Sequence, residues 1–129
     1  TMIEEKYEPP FIQLYVKQHW DELRDIPAGA RGIYISLVFK TWQNDCEWIK
    51  DDDQTHRVLK VPPRNYERAK PYLMKLCRLS DDSCWEIPWL RDNYKKVMKQ
   101  REANIHNGRL GGLARVASKQ PLSHIYKDR

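Results

Sequence analysis

Polar and apolar positions recur at helical spacing along most of this chain. Glu8-Pro9-Pro10 stops any early helix, and Phe11-Ile12-Gln13-Leu14-Tyr15-Val16 fits either a short strand or the start of a helix to Leu23, a helix from Leu14 being the better fit. Pro27 suits a first-turn position, and the apolar run after it predicts a helix over 28–42 that ends near Asn44-Asp45. Its apolar residues at 33, 34, 35, 37, 38, 39 and 42 leave little polar face, the pattern of a central, largely buried helix. Residues 47–50 are long enough for one strand. Asp51-Asp52-Asp53 then offers an N-cap and dipole-compatible acids for a helix over 54–59, which Val61-Pro62-Pro63 breaks. Pro63 opens the next helix, in which Tyr66, Ala69, Leu73 and Leu76 or Cys77 share a face; Pro71 must kink it or begin a new helical piece.

Leu79-Ser80, the turn formers Asp81-Asp82-Ser83 and Cys84-Trp85-Glu86-Ile87 predict a β-hairpin with an acidic tip. After Pro88 a last helix carries an apolar stripe of Leu90, Tyr94, Val97, Met98 and Ile105, and Asn107-Gly108 and Gly111-Gly112 should end or loosen it. Two helices, a short strand, two more helices, then a hairpin and a helix form the element order of a winged helix-turn-helix. The fold expected is mainly α with a small β-hairpin (α+β), and the fourth helix, over 64–77, takes the recognition position. The domain organisation that follows is a flexible N-terminus over 1–10, a winged-helix domain over 11–107 and a basic flexible tail over 108–129.

Composition narrows the class. With 129 residues the chain fits one domain plus a tail, and its 14 aromatics, five of them Trp, supply a core despite a mean hydropathy of -0.84. No stretch reaches the roughly 18 apolar residues of a membrane helix, and the first residues lack a signal-peptide core, so a soluble, cytoplasmic protein without a membrane partner is expected. Cys46, Cys77 and Cys84 form no C-x-x-C pair, and His19, His56, His106 and His124 are scattered. Neither a disulfide framework, a metal site, a cofactor nor catalysis is indicated. The glycines at 108, 111 and 112 lack the Gly-Lys-Ser/Thr ending of a phosphate loop, and Trp42, Trp48, Trp85 and Trp89 fit core packing better than base stacking.

Charge changes the picture more. Residues 1–90 carry 13 Lys/Arg against 15 Asp/Glu, whereas residues 91–129 carry 10 against 3, a net +7. A second basic block lies over 55–78, where seven Lys/Arg face the single acid Glu67. Such clusters are the usual basis of affinity for nucleic acid through counterion release. Arg64, Asn65, Arg68, Lys70, Lys75 and Arg78 on and beside the fourth helix are candidates for base and phosphate contact, because Arg and Asn form bidentate bonds with guanine and adenine. Lys95, Lys96, Lys99, Arg101, Arg109 and Arg115 are candidates for tracking phosphates. Asp81 and Asp82 argue the other way, since acids at a wing tip repel phosphate.

Several segments also resemble a known family. Ile26-Pro27-Ala28-Gly29-Ala30-Arg31-Gly32-Ile33-Tyr34 resembles the "L-T-x-x-E-R-G-A-Y" helix opening of a phage and prophage domain family called YdaU-like. Tyr66-Glu67-Arg68-Ala69-Lys70-Pro71 is similar to its "W-R-x-x-R-P" segment, Trp85 and the helix after it to its "W-x-x-x-R-x-D" hairpin exit, and residues 107–115 to its "S-x-K-G-R-x-G-G-x-A-R" tail. Ala30 stands where the family has an acid, and Tyr66 where it has Trp. The resemblance implies a winged-helix module of phage replication-initiation proteins that binds double-stranded origin DNA, with a replicative helicase or its loader as a further partner. The alternative, from the acidic tip, is an adaptor or inhibitor that uses the same module to bind a host replication or defence protein.

Overall fold

The computed structural model describes residues 7–118, with side chains to residue 113. Its elements are α1 (Val16–Leu23), α2 (Ala28–Gln43), β1 (Ile49–Lys50), α3 (Thr55–Val58), α4 (Pro63–Leu76), β2 (Arg78–Leu79), β3 (Cys84–Glu86) and α5 (Pro88–Ser118). The protein is mainly helical with one three-stranded antiparallel sheet in the order β1-β3-β2. Its contacts form two units, Thr1–Lys95 and Lys96–Arg129. This division precedes the boundary at Asn107 expected from the sequence. The expected N-terminus over 1–10 and tail over 108–129 lie partly outside the described residues.

Within the first unit, α2 is the centre. Ala30, Ile33, Tyr34, Leu37, Val38, Thr41 and Trp42 are buried at the three-four spacing that puts them on one face. Ile35 and Phe39, one turn apart, remain 38% and 55% exposed. The all-round apolar pattern therefore overstated the burial of α2, because these two side chains line an open groove beside residues 8–14 instead of a neighbouring element. The helix ends as Asn44 N–H bonds back to the Lys40 and Thr41 carbonyls, and Asp45 and Cys46 turn the chain with φ of 57° each.

α4 packs on α2 through Tyr66, Ala69 and Leu73. Leu37 and Leu73 are fully buried, each contributing roughly 1.5–3 kcal/mol of transfer free energy. Pro62 and Pro63 fit the start of α4 because the first amides of a helix have no partner to lose. Pro71 lies inside one continuous helix, so it does not begin a new piece. Its ring is exposed, and the hydrogen bond it forfeits is the one to the Glu67 carbonyl.

The hairpin forms as expected and adds β1 on its other side. Ile49 and Leu79 flank Trp85, and Arg78 faces Glu86. The short strands place Ile49 and the fully buried Trp85 into the core. α1 begins at Val16, two residues later than the sequence suggested; it buries no side chain, and residues 11–15 form neither strand nor helix.

The three aspartates do not cap α3 as expected. Gln54 holds the N-cap position without a side-chain bond, while Asp52 Oδ1 accepts the Gln54 N–H at 2.8 Å, an Asx turn. Thr55, buried, takes over the anchoring: its hydroxyl donates to the Lys50 carbonyl at 2.6 Å and accepts the Asp52 N–H at 2.8 Å. Asp51 is freed to point toward α4.

α5 starts in the core, with Leu90 fully buried and Tyr94 edge-on to Trp42 at 5.1 Å between ring centroids. Contrary to the sequence expectation, the helix continues through Asn107-Gly108 and Gly111-Gly112 to Ser118. Glycine lowers helix stability by about 1 kcal/mol without any steric block, and no glycine of this chain has a positive φ. A Cβ built at Gly108 or Gly111 meets nothing within 4 Å. Gly108→Ala and Gly111→Ala should therefore each stabilise this part of α5 by about 0.5–1 kcal/mol, read as raised ellipticity at 222 nm and slower amide exchange. A helix that truly ended at Asn107 would show neither gain.

Burial also fixes the response to alkali. It pushes the thiol of Cys46 up to about 11 and that of Cys77 up to about 12, and the Tyr34 hydroxyl up to about 12. Each group has a folded pKa above its unfolded value of 9 or 10, so its contribution to stability is complete below pH 9 and is lost as pH rises from 9 through 12. Urea unfolding midpoints should be level with respect to these groups up to pH 9 and fall steadily above it. A midpoint unchanged between pH 9 and 11 would contradict this.

Candidate nucleic-acid interface

The outer face of α4 follows from what its inner face buries. With Tyr66, Ala69 and Leu73 turned to α2, the row Arg64, Arg68, Pro71 and Lys75 faces out, and Asn65 lies beside Arg68. Arg64, Asn65 and Arg68 are exposed and form no ion pair or side-chain hydrogen bond with the described residues. The N-terminus of α4 carries no side-chain cap and no acid in its first turn. The Asn65 and Tyr66 amides both bond the Pro62 carbonyl, at 3.0 and 3.1 Å, so the field that favours an anion here comes from the helix dipole and the two arginines. Asn65 and Arg68 also border a shallow groove of about 460 Å³ against Pro27, Gly29 and Ile33 of the α2 entrance.

The other candidates divide. Lys75 is exposed, its ammonium 5.5 Å from the Tyr72 ring centre. Lys70 is turned inward, 3.1 Å from Asp51 and 3.8 Å from Glu67. It belongs to a buried network in which Tyr66 donates its hydroxyl proton to Asp51 and accepts the Trp85 indole N–H at 2.8 Å. Burial, and then the bond to Asp51, pushes the Tyr66 hydroxyl above its ordinary range, so it stays a donor. Arg78 lies across the ladder from Glu86 at 3.4 Å, although its side chain is 73% exposed. Lys95 is exposed at the end of the first unit; Lys96, Lys99 and Arg109 are exposed in the second, where Arg101 is half-buried. The side chain of Arg115 lies outside the described residues.

Two further cations of the basic block over 55–78 are exposed as well, Arg57 on α3 and Lys60 in the turn before α4, where φ is 60°. Their position in the same basic block was the available signal. The hairpin tip presents Asp81 and Asp82 to solvent, and Asp51 N–H bonds the Ser83 carbonyl at 2.7 Å, which ties that turn to the aspartate run after β1.

The four tryptophans at 42, 48, 85 and 89 have structural occupations, while Trp20 on α1 is exposed. Trp42 and Trp85 are buried, the Trp89 indole donates to the Tyr34 hydroxyl at 3.0 Å, and the Arg91 guanidinium lies 3.8 Å over Trp48 while bonding the Cys46 carbonyl. Among the described residues no group of three His, Cys, Asp or Glu is placed to hold a metal, and no helix is long and apolar enough to cross a membrane. Comparison with family models, with curated proteins and with solved structures gives no match.

Proposed function

We propose that the first unit is a winged-helix domain that binds double-stranded DNA with α4 as the reading helix. One observation carries the proposal: the order α2, β1, α3, α4, β2, β3, with the sheet strands arranged β1-β3-β2, leaves the second helix of the α3-α4 pair with an unpaired basic face. Arg64, Asn65 and Arg68 are the residues assigned to base and phosphate contact, with Lys75, Arg57 and Lys60 on phosphate. Lys96, Lys99 and Arg109 give the second unit its own electrostatic affinity for a polyanion. The resemblance to the YdaU-like family supports a role in phage or prophage replication initiation at an origin, with a helicase or loader as further partner.

Fluorescence anisotropy of the full chain on origin and random duplexes, across a salt series, tests this. Binding that prefers the origin duplex and weakens linearly in log salt is the expected result, the slope giving about 0.9 per phosphate neutralised. Absence of binding at low salt would instead favour the adaptor reading, for which Asp81 and Asp82 at the tip and the internal pairing of Lys70 speak.

A further inference from the structure

We propose that the groove between residues 8–14 and α2 binds a small, neutral, largely apolar molecule that carries one hydrogen-bond acceptor, such as a ketone or amide carbonyl. The proposal is independent of DNA binding. The groove is built, because the N-terminal arm is pinned at two points: the Trp42 indole donates to the Pro9 carbonyl at 2.9 Å, and the Asn93 side chain both accepts the Gln13 N–H at 3.2 Å and donates to the Gln13 carbonyl at 2.7 Å. Between arm and helix remains a cavity of about 730 Å³, within the roughly 300–1,000 Å³ range of small-molecule sites. An arm bridged twice to the body favours a compact occupant over a long helix laid through the groove.

The lining defines the class. Phe11, Leu14, Ile35 and Phe39 contribute exposed apolar surface, and Val38 is buried at the floor. Of the polar residues Glu8, His19, Tyr34 and Gln43 in the lining, Tyr34 alone is buried. Tyr34, 3% exposed, accepts the Trp89 indole N–H, but its own hydroxyl proton has no acceptor among the described residues. A buried donor left unspent on a residue that lines a largely apolar groove favours an occupant that brings an acceptor. Burial keeps that hydroxyl protonated up to about 12, so it donates throughout the physiological range. The lining contains no Lys or Arg, and its one carboxylate, Glu8, repels an anion. A neutral acceptor therefore fits and a carboxylate does not. The ring of His19 lies against Trp89, tilted by 58° with 4.4 Å between ring centroids, on the indole that donates to this hydroxyl.

Two probes of nearly equal shape test the assignment on the full chain, 1-acetonaphthone with a carbonyl and 1-ethylnaphthalene without one, titrated while the indole N–H signals are followed by NMR. Saturable shifts of the Trp89 signal are expected, with the ketone bound about five-fold more tightly, as one net hydrogen bond provides. Tyr34→Phe should abolish that preference and leave the hydrocarbon affinity in place. Ile35→Glu, at an exposed position, should weaken both probes at least about ten-fold with no change in the thermal midpoint. No saturable shift, equal affinity of the wild-type chain for the two probes, or a dimer in sedimentation that excludes the probes would each overturn the proposal.

Discussion

Alanine at Trp85 is expected to remove about 3–5 kcal/mol of stability, the range for deleting a fully buried aromatic side chain. Trp85 is the centre residue of the middle strand, flanked by Ile49 and Leu79, and its indole closes the network with Tyr66, Asp51 and Lys70. For a unit of this size about 1 kcal/mol moves the midpoint by roughly 4–8 °C, so a fall of at least about 12 °C is expected in thermal unfolding followed by circular dichroism. Tyr66→Phe provides the contrast. It keeps the ring but orphans the Trp85 N–H and leaves Asp51 only Lys70, a loss of about 1–3 kcal/mol. The double variant should lose less than the two single losses combined, because one hydrogen bond is counted in both. Strict additivity would show that the network does not hold the sheet to α4.

The second large effect concerns DNA. Arg64→Ala and Arg68→Ala together should weaken duplex binding by about ten-fold or more and lower the salt slope by up to about 1.8, two phosphate contacts' worth. Loss of affinity with an unchanged slope would assign them to base edges, and the origin preference should then relax. Lys70→Ala separates this face from the interior. Its ammonium is committed to Asp51, so the variant should lose thermal stability and keep its DNA affinity. If Lys70→Ala weakened binding as much as the double arginine variant, the orientation assigned to α4 would be wrong.

Much of the architecture was legible as periodicity. Pro27 and the long apolar run after it located α2, the helical spacing of Tyr66, Ala69 and Leu73 located α4, and Asp81-Asp82-Ser83 located the hairpin turn. Partners were not legible. Asp51 looked like a cap residue and Lys70 like a basic surface residue; that each neutralises the other depends on the sheet bringing residue 51 beside α4, which a one-dimensional pattern does not encode. Breaker signals also misled. Pro71 and the glycines at 108, 111 and 112 weaken a helix locally, but neighbouring residues with good propensity carry it through. The groove escaped notice because Ile35 and Phe39 resemble core residues in composition and differ only in what stands opposite them.

The strand order has a kinetic consequence. β1 leaves the ribosome first, yet its hydrogen-bonding partner is β3, some 35 residues later, and β2 also waits for β3. Neither outer strand can pair before β3 is present, and the β1–β3 pairing closes a loop of some 35 residues whereas β2 and β3 need only the hairpin turn. A chain ending at Leu79 would hold both outer strands without the strand that joins them, so no part of the sheet can form before Trp85 is in the chain.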